Sequence, residues 1–479
     1  MAKTVRDYSL TGAEASRSIE RGLADAEWYR SPVDPAVMTR LHVRTNGRAA
    51  LDAILWVGLL IGTAVLAWSV RDSWWAIPAF ALYGMLYGGS ADSRWHESGH
   101  STAFRTGWAN ELLYYPACFM LMREPTVWRW SHVRHHSDTI VVGRDPEIVF
   151  PRPFAFGTWI GNLLGLFGVP MMLRRIVRHA RGRVDADVQS FVPAEKHRSV
   201  VTEARLFLAV LAAVVVWCVV AGSVWPLVFI GLPTFYGSWL VLFFGTTQHA
   251  GLREDVLDHR LNSRTVYMNP VFRFLYLNMN YHIEHHMYPT VPYRNLPALH
   301  AEIRDDLPAA TSSTFAAYRE IFQAAKAQQA DPNFQLERMA DEAPEGEAAR
   351  GNAPSTGSAL VGGDAQAATE VPVDDDGWVT VCSTAALGRG EVRRLDAAGA
   401  TYAVCRTRDG SLHAIDGICS HSRVAHLADG AVVGGEIECP KHNGRFSLAN
   451  GEPTRAPVSE AVTVYPAVEE GGEVKVQLS

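Results

Sequence analysis

Eight of the 18 histidines stand in three tight clusters: His96-Glu-Ser-Gly-His100, His132-Val-Arg-His135-His136 and His282-Ile-Glu-His285-His286. Spacing of i, i+4 sets two imidazoles on one helix face, and the middle His of the second and third clusters lies close by at i+3. The same H-x-x-H-H spacing occurring twice argues against chance. Neutral imidazole suits Fe, Cu, Zn and Ni. Eight such ligands are too many for one ion, whereas two ions taking four or five each accommodate them. A fold for this chain must therefore bring three distant segments to one place. His42, His179, His197 and His300 stand alone and read as hydrogen-bonded histidines without a metal.

The clusters alternate with apolar runs. Crossing a bilayer takes about 20 mostly apolar residues. Ala49–Val70, Ser73–Ala91, Leu206–Gly222 and Val224–Gly245 meet that length, and they read as two helical hairpins. Glu111–Met122 is too short to cross. Phe154–Leu173 is long enough, but Gly157, Gly161, Gly165, Gly168 and Pro170 interrupt it. If it crossed, the third cluster would face the wrong side, so it is expected to lie in the interface or re-enter. The basic stretch Arg174, Arg175, Arg178, Arg181 and Arg183 puts the central loop, the N-terminus and everything after Gly245 on the cytoplasmic side. Met1–Ala50 is polar and lacks the apolar core of a signal peptide. Thr11-Gly-Ala-Glu14 has the pattern of a capping box opening a surface helix, and Trp28-Tyr29 reads as an ordinary apolar anchor.

The three clusters, their order and the hairpin layout resemble the membrane fatty acid desaturase and hydroxylase superfamily, over roughly residues 45–300. The resemblance implies a di-iron centre on cytoplasmic helices that activates O2. It also implies one more ligand between the last span and the third cluster, and His249 stands there. The implied metal set is thus His96, His100, His132, His135, His136, His249, His282, His285 and His286. Some members carry an Asn four residues before the extra His, where this chain has Gly245. The runs Tyr8-Ser-Leu-Thr-Gly-Ala-Glu14, Arg144-Asp-Pro-Glu-Ile148 and Glu254-Asp-Val-Leu-Asp-His-Arg-Leu-Asn-Ser-Arg-Thr-Val-Tyr-Met-Asn269 resemble the bacterial rhizopine-catabolism oxygenase branch. That branch implies oxidative removal of a methyl group with the help of a Rieske ferredoxin. Metal-bound imidazoles need partners to orient them. Asp138, Asp145 and Asp258 are candidates, as are Glu97 and Glu284 inside the clusters, and each reads equally well as a structural carboxylate. His259 reads as structural or as such a partner.

From residue 377 the pattern changes to short β segments between Gly and Asp turns: Trp378–Ser383, Tyr402–Arg406, Gly435–Cys439, Ala461–Val468 and Glu473–Leu478. Cys419-Ser-His421 is followed after 17 residues by Cys439-Pro-Lys-His442. Two Cys and two His in paired loops suit a tetrahedral zinc or a [2Fe-2S] cluster with Cys on one iron and His on the other. The contexts Gly417-Ile-Cys-Ser-His421, Leu427-Ala-Asp-Gly430 and Glu438-Cys-Pro-Lys-His-Asn-Gly-Arg-Phe446 resemble Rieske ferredoxins. The resemblance implies Cys419, His421, Cys439 and His442 as cluster ligands. Val424 and Lys441 stand where respiratory Rieske proteins carry an extra Cys pair, which places the domain with the soluble type. Cys118, Cys218, Cys382 and Cys405 are expected to be free, buried thiols, and His426 has no ligand spacing.

Composition bounds the alternatives. The chain of 479 residues is 48% hydrophobic, with six Cys, which excludes a disordered chain and a disulfide scaffold. Residues 1–330 hold 32 basic against 27 acidic residues, 331–376 hold 2 against 11, and 377–479 hold 10 against 12. No basic field suggests a nucleic-acid partner. The expected architecture is multi-domain. It comprises a cytoplasmic segment (1–45), an α-helical membrane di-iron domain with four transmembrane helices (46–330), an acidic flexible linker (331–376) and a small all-β Rieske domain (377–479). A linker of that length spans about 35–40 Å as a coil. The expected chemistry is O2-dependent attack on an unactivated C–H bond: hydroxylation, desaturation or oxidative demethylation of a lipid acyl chain or a small methylated substrate. The Rieske cluster would relay electrons. No flavin or nicotinamide fingerprint is evident, so a separate NAD(P)H-dependent reductase is required. The rival readings are an acyl desaturase confined to lipid chains, a His-lined metal transporter, and a redox sensor.

Overall fold

The computed structural model describes residues 6–24, 26–338, 373–374, 376–441, 443–455 and 457–478. It divides into two compact units. The first comprises 1–20, 44–283 and 308–340, and the second 21–43, 284–307 and 341–479. The boundary falls inside the helix His282–Met287, whose histidines keep the spacing of one continuous helix. Of the acidic linker, residues 339–372 and 375 lie outside the described residues. Its first residues are already tied into the first unit: Leu336 N–H donates to Gly251 O at 2.8 Å and Glu254 N–H to Gln335 Oε1 at 3.2 Å.

The first unit is helical. Among the described residues, two of its helices are long and apolar enough to cross a membrane, Asn46–Ser69 and Ala194–Ala221. At 1.5 Å per residue they reach about 36 and 42 Å, beyond the ~30 Å of a hydrocarbon core. Their outer faces expose Leu51, Ile54, Ile61, Val65, Trp217, Val219 and Val220. Apolar faces of this extent would be a liability in water and are ordinary against lipid. Gly222, at φ +58°, ends the second helix, a conformation that side chains other than glycine resist.

The other two apolar runs are not single helices, contrary to the expectation of four alike. Val224–Gly245 divides into Trp225–Ile230, Pro233–Tyr236 and the start of Ser238–His249. Pro233 has no N–H to continue the ladder. The carbonyls freed at the break are met by Tyr83 Oη, which donates to Phe229 O, and Tyr87 Oη, which donates to Ile230 O, both at 2.7 Å. Ser73–Ala91 forms Ala76–Gly84, a wide π turn Met85–Gly89, and the start of Ala91–Gly99. The two broken segments pack closely: a Cβ on Gly237 would stand 2.0 Å from Gly84 O. Phe154–Leu173 is likewise broken, into Phe156–Asn162 and the start of Gly168–Ala180. The N-terminal segment is pinned by Arg6 on Glu254 at 2.6 Å and Tyr8 Oη on Glu254 at 2.8 Å. A surface helix opens at Ala13, but the capping box is not formed: Thr11 Oγ1 stands 3.4 Å from Ser9 Oγ, and Glu14 pairs with Arg17 at 2.6 Å.

The second unit carries the β domain. Its strands are β1 (Trp378–Ser383), β2 (Val392–Ala397), β3 (Ala400–Arg406), β4 (Leu412–Asp416), β5 (Ala431–Val433), β6 (Glu436–Glu438), β7 (Arg445–Ser447), β8 (Pro453–Arg455), β9 (Val464–Tyr465), β10 (Ala467–Glu470) and β11 (Glu473–Gln477). They form antiparallel sheets ordered β1-β11-β10, β2-β3-β4-β9 and β5-β6-β7-β8. The smaller β5–β8 sheet holds up two loops, one between β4 and β5 and one between β6 and β7. Phe446, Ile437, Leu427 and Leu448 pack beneath them.

Candidate metal centres

The nine histidines read from the sequence fall into two groups. His96, His100, His132, His136 and His285 form one, and His135, His249, His282 and His286 the other. Within each group one nitrogen per residue lies within 4.8 Å of every other. The helix Ala91–Gly99 carries His96, and His100 caps its end. The helix Pro125–Ser137, opened by a proline at its first position, presents His132, His135 and His136. His249 closes the helix Ser238–His249.

The nitrogens stand where ligands stand around a metal. His132 Nε2 lies 2.9 Å from His100 Nε2 and 3.1 Å from His136 Nε2, and His249 Nε2 lies 3.0 Å from His282 Nε2. With metal–nitrogen bonds of about 2.1 Å, neighbouring ligand atoms of a tetrahedral or octahedral shell stand about 3.0–3.4 Å apart. The hydrogen bonds behind the rings fix the tautomers. His249 Nδ1 donates to Asn262 O at 2.8 Å, and a carbonyl only accepts, so its Nε2 keeps a lone pair facing His282. His135 Nδ1 donates to Asp145 at 2.9 Å, which turns the Nε2 lone pair the other way. Burial pushes His96 and His282 well below the usual histidine range and His249 down to about 3. Neutral imidazole is the form that binds a metal. The donor set therefore fits two imidazole-rich metal ions.

The loop after the second cluster explains the carboxylates. Ile140 (φ +55°) and Gly143 (φ +81°) fold the chain back, and Asp145 accepts from both His135 and the Ile140 N–H, at 2.9 and 2.8 Å. Glu147, unassigned from sequence alone, faces His132 Nδ1 at 3.2 Å and accepts from Ser131 Oγ at 2.9 Å. Its signal was its place in the run Arg144–Ile148. Asp138 instead pairs with Arg134 and Arg144, at 2.5 and 3.1 Å. Asp258 caps the short helix His259–Asn262 and pairs with Arg260 at 2.8 Å. It bears on the site indirectly, because that helix ends in the carbonyl that holds His249. Glu97 accepts from Thr102 Oγ1 at 2.6 Å, and Glu284 pairs with His300. His259 is buried. The isolated histidines are all hydrogen-bonded: His42 to Thr290 at 2.9 Å, His179 to Glu124 at 2.8 Å, His197 to Val192 O at 3.1 Å, and His300 to Glu284.

In the β domain the loops bring Cys419 and Cys439 together, both buried. Cys419 N–H donates to Ala425 O at 2.9 Å and Cys439 N–H to Gly444 O at 2.7 Å. The Cys419 thiol is pulled down to about 7, chiefly by its hydrogen bond with Cys439. His421 is exposed at the loop tip, and His442 lies outside the described residues. His426 Nε2 accepts from Arg394 Nη1 at 3.3 Å. Among the thiols expected to be buried, Cys118 and Cys405 are, whereas Cys218 and Cys382 are only half-buried.

Residues 72–318, just over half of the chain, match the fatty acid desaturase family. The chain belongs to the fatty acid desaturase family. Residues 377–466 of this desaturase match the Rieske [2Fe-2S] domain, so a desaturase domain is fused to a C-terminal Rieske domain. The ferredoxin component of the naphthalene 1,2-dioxygenase system of Pseudomonas aeruginosa is 33% identical over 102 residues, 21% of this chain and 96% of that protein. The cholesterol 7-desaturase of Xenopus laevis is 32% identical over 97 residues, 20% of this chain and 21% of that one. Among solved structures, the ferredoxin of carbazole 1,9a-dioxygenase from Nocardioides aromaticivorans IC177 is 36% identical. It covers 21% of this chain and 98% of that chain, at a TM-score of 0.20.

Partners behind metal-bound imidazoles are worth 10–100-fold in metal affinity or activity. Asp145→Asn is accordingly expected to weaken iron retention at the histidine site by about 10–100-fold, leaving the Rieske absorption intact. Chelator titration of the purified protein, followed by iron analysis, measures it.

Proposed function

We propose that this desaturase is an O2-dependent membrane di-iron oxygenase that attacks an unactivated C–H bond with electrons relayed by its own Rieske domain. The observation that carries the reading is the convergence of nine imidazoles into groups of five and four. Two irons held there supply activation of O2. The residues around them do the positioning: Asp145 and the Asn262 carbonyl hold protons at Nδ1 of His135 and His249, which leaves their Nε2 lone pairs free to bind a metal. Glu147 steadies His132. Cys419, His421, Cys439 and His442 hold the Rieske cluster, and a separate NAD(P)H-dependent reductase recharges it.

The chain crosses the bilayer four times, with two continuous helices and two broken ones. The active site and Rieske domain face the cytoplasm, the side to which the arginine-rich stretch 174–183 is assigned by its positive charge. The runs resembling the rhizopine-catabolism branch favour oxidative demethylation of a small methylated substrate, with release of formaldehyde. The second reading is desaturation of lipid acyl chains, which the family supports. The experiment is to supply the purified protein with reductase, NADH and O2 and screen methylated compounds and acyl lipids. Four irons per chain, and formaldehyde from a methylated compound, are expected. Olefin from acyl lipid with no formaldehyde from any methylated compound overturns demethylation in favour of desaturation, and iron confined to the Rieske cluster overturns the oxygenase.

A further inference from the structure

Within the second unit, two segments outside the β domain are laced together. Tyr288 Oη donates to Ser31 O. Ser31 Oγ donates to Asp306 at 2.6 Å, Tyr29 Oη reaches the same carboxylate at 2.7 Å, and Asn295 Nδ2 donates to Leu41 O at 2.7 Å. His42 pairs with Thr290 at 2.9 Å. The helix Pro35–Leu41 is fixed at its start by Asp34, which accepts from the Ala36 and Val37 N–H groups. The result is a firm platform that continues directly from the helix bearing His285 and His286.

The β domain touches this platform at two points, by its cluster-bearing end and by the turn that precedes β2. Lys441, beside the ligand position 442, donates from Nζ to Ala26 O at 3.3 Å. Gly390 O accepts from Thr39 Oγ1 at 3.5 Å, and a Cβ on Gly390 would stand 3.3 Å from Thr39 Cγ2.

We propose that residues 26–43 and 287–306 form the docking seat of this chain's own Rieske domain, presenting the cluster-bearing end to the foot of the helix that carries His285 and His286. The inference rests on the electron-relay reading and deepens it by giving the relay an address. Each transfer oxidises the Rieske cluster by one electron and reduces the metal pair by one. Two transfers supply the two electrons that each O2 requires, and the external reductase restores them to the cluster.

The test uses the full-length, iron-loaded protein and Thr39→Trp, which places bulk on the surface of the seat. Lys441→Met, which removes a donor and keeps the stem, is the second variant. Glu470→Trp, on the edge strand β10, is the control. Amide hydrogen exchange at residues 35–43 and 288–306 is expected to rise at least tenfold in both seat variants. Reoxidation of the photoreduced cluster, independent of protein concentration in the parent, is expected to slow at least tenfold. The cluster spectrum stays unchanged, and the control matches the parent. Unchanged reoxidation in both seat variants overturns the seat, whatever the exchange shows, and leaves the relay standing. A parent protein whose cluster never passes electrons to the histidine site overturns the relay itself.

Discussion

Replacing His135 with alanine is expected to abolish oxidation, by at least a hundredfold, while the Rieske spectrum persists. His135 belongs to the group of four, with His249, His282 and His286. Losing one of four ligands removes a larger share of that ion's donors than a loss from the group of five would. It also strands Asp145, which is buried and spends one oxygen on the ring and on the Ile140 N–H. Iron per chain is expected to fall from four toward three or two. His179→Gln provides the contrast. His179 is fully buried against Glu124, at 2.8 Å, outside both groups. Its replacement is expected to cost about 1–3 kcal/mol of stability with iron stoichiometry unchanged. Iron analysis, the Rieske spectrum and turnover measured side by side decide the matter. Full activity in His135→Ala would mean that the imidazole groups are not the reaction centre.

The sequence spelled out the histidines but not their sorting. Spacing of i, i+3, i+4 is a local property of a helix, so each cluster was visible by inspection. How the clusters divide is a tertiary result. The second cluster gives its outer pair, His132 and His136, to the group of five and its middle member, His135, to the group of four; the third cluster does the reverse. His249 then supplies the group of four with a ligand from the helix it terminates. The orienting groups were legible only where side chains carry them, as with Asp145. The Asn262 carbonyl is a backbone acceptor and has no signature in residue type. The apolar runs misled for a different reason. Hydropathy counts residues and ignores Pro233 and Gly237, which break one run, while Tyr83 and Tyr87 make the break tolerable from another segment. In the β domain, β1 matched its expected bounds, whereas β2 and β4 were overlooked. Their outward positions are charged or polar, and their burial depends on the neighbouring β3 and β9.

Cys439→Ala tests the other half of the chain. Cys439 and Cys419 are buried side by side on short loops in which each cysteine uses both its N–H and its C=O in backbone hydrogen bonds, and a cluster bound there would add to the hold on those loops. Removing one thiolate is expected to eliminate the [2Fe-2S] spectrum and two irons per chain. The imidazole groups lie in other elements and should keep theirs. Turnover driven by reductase and NADH is expected to fall at least a hundredfold. A single turnover begun by chemical reduction in place of the reductase should survive, because it supplies the same two electrons without the relay. If NADH-driven turnover were retained without the cluster, the Rieske domain would be a passenger and electrons would enter the desaturase domain directly. If chemical reduction also failed while both imidazole-bound irons remained, the cluster would be needed for the oxidation itself. The combination of lost NADH-driven turnover and preserved chemically driven turnover is the signature of a tethered electron carrier.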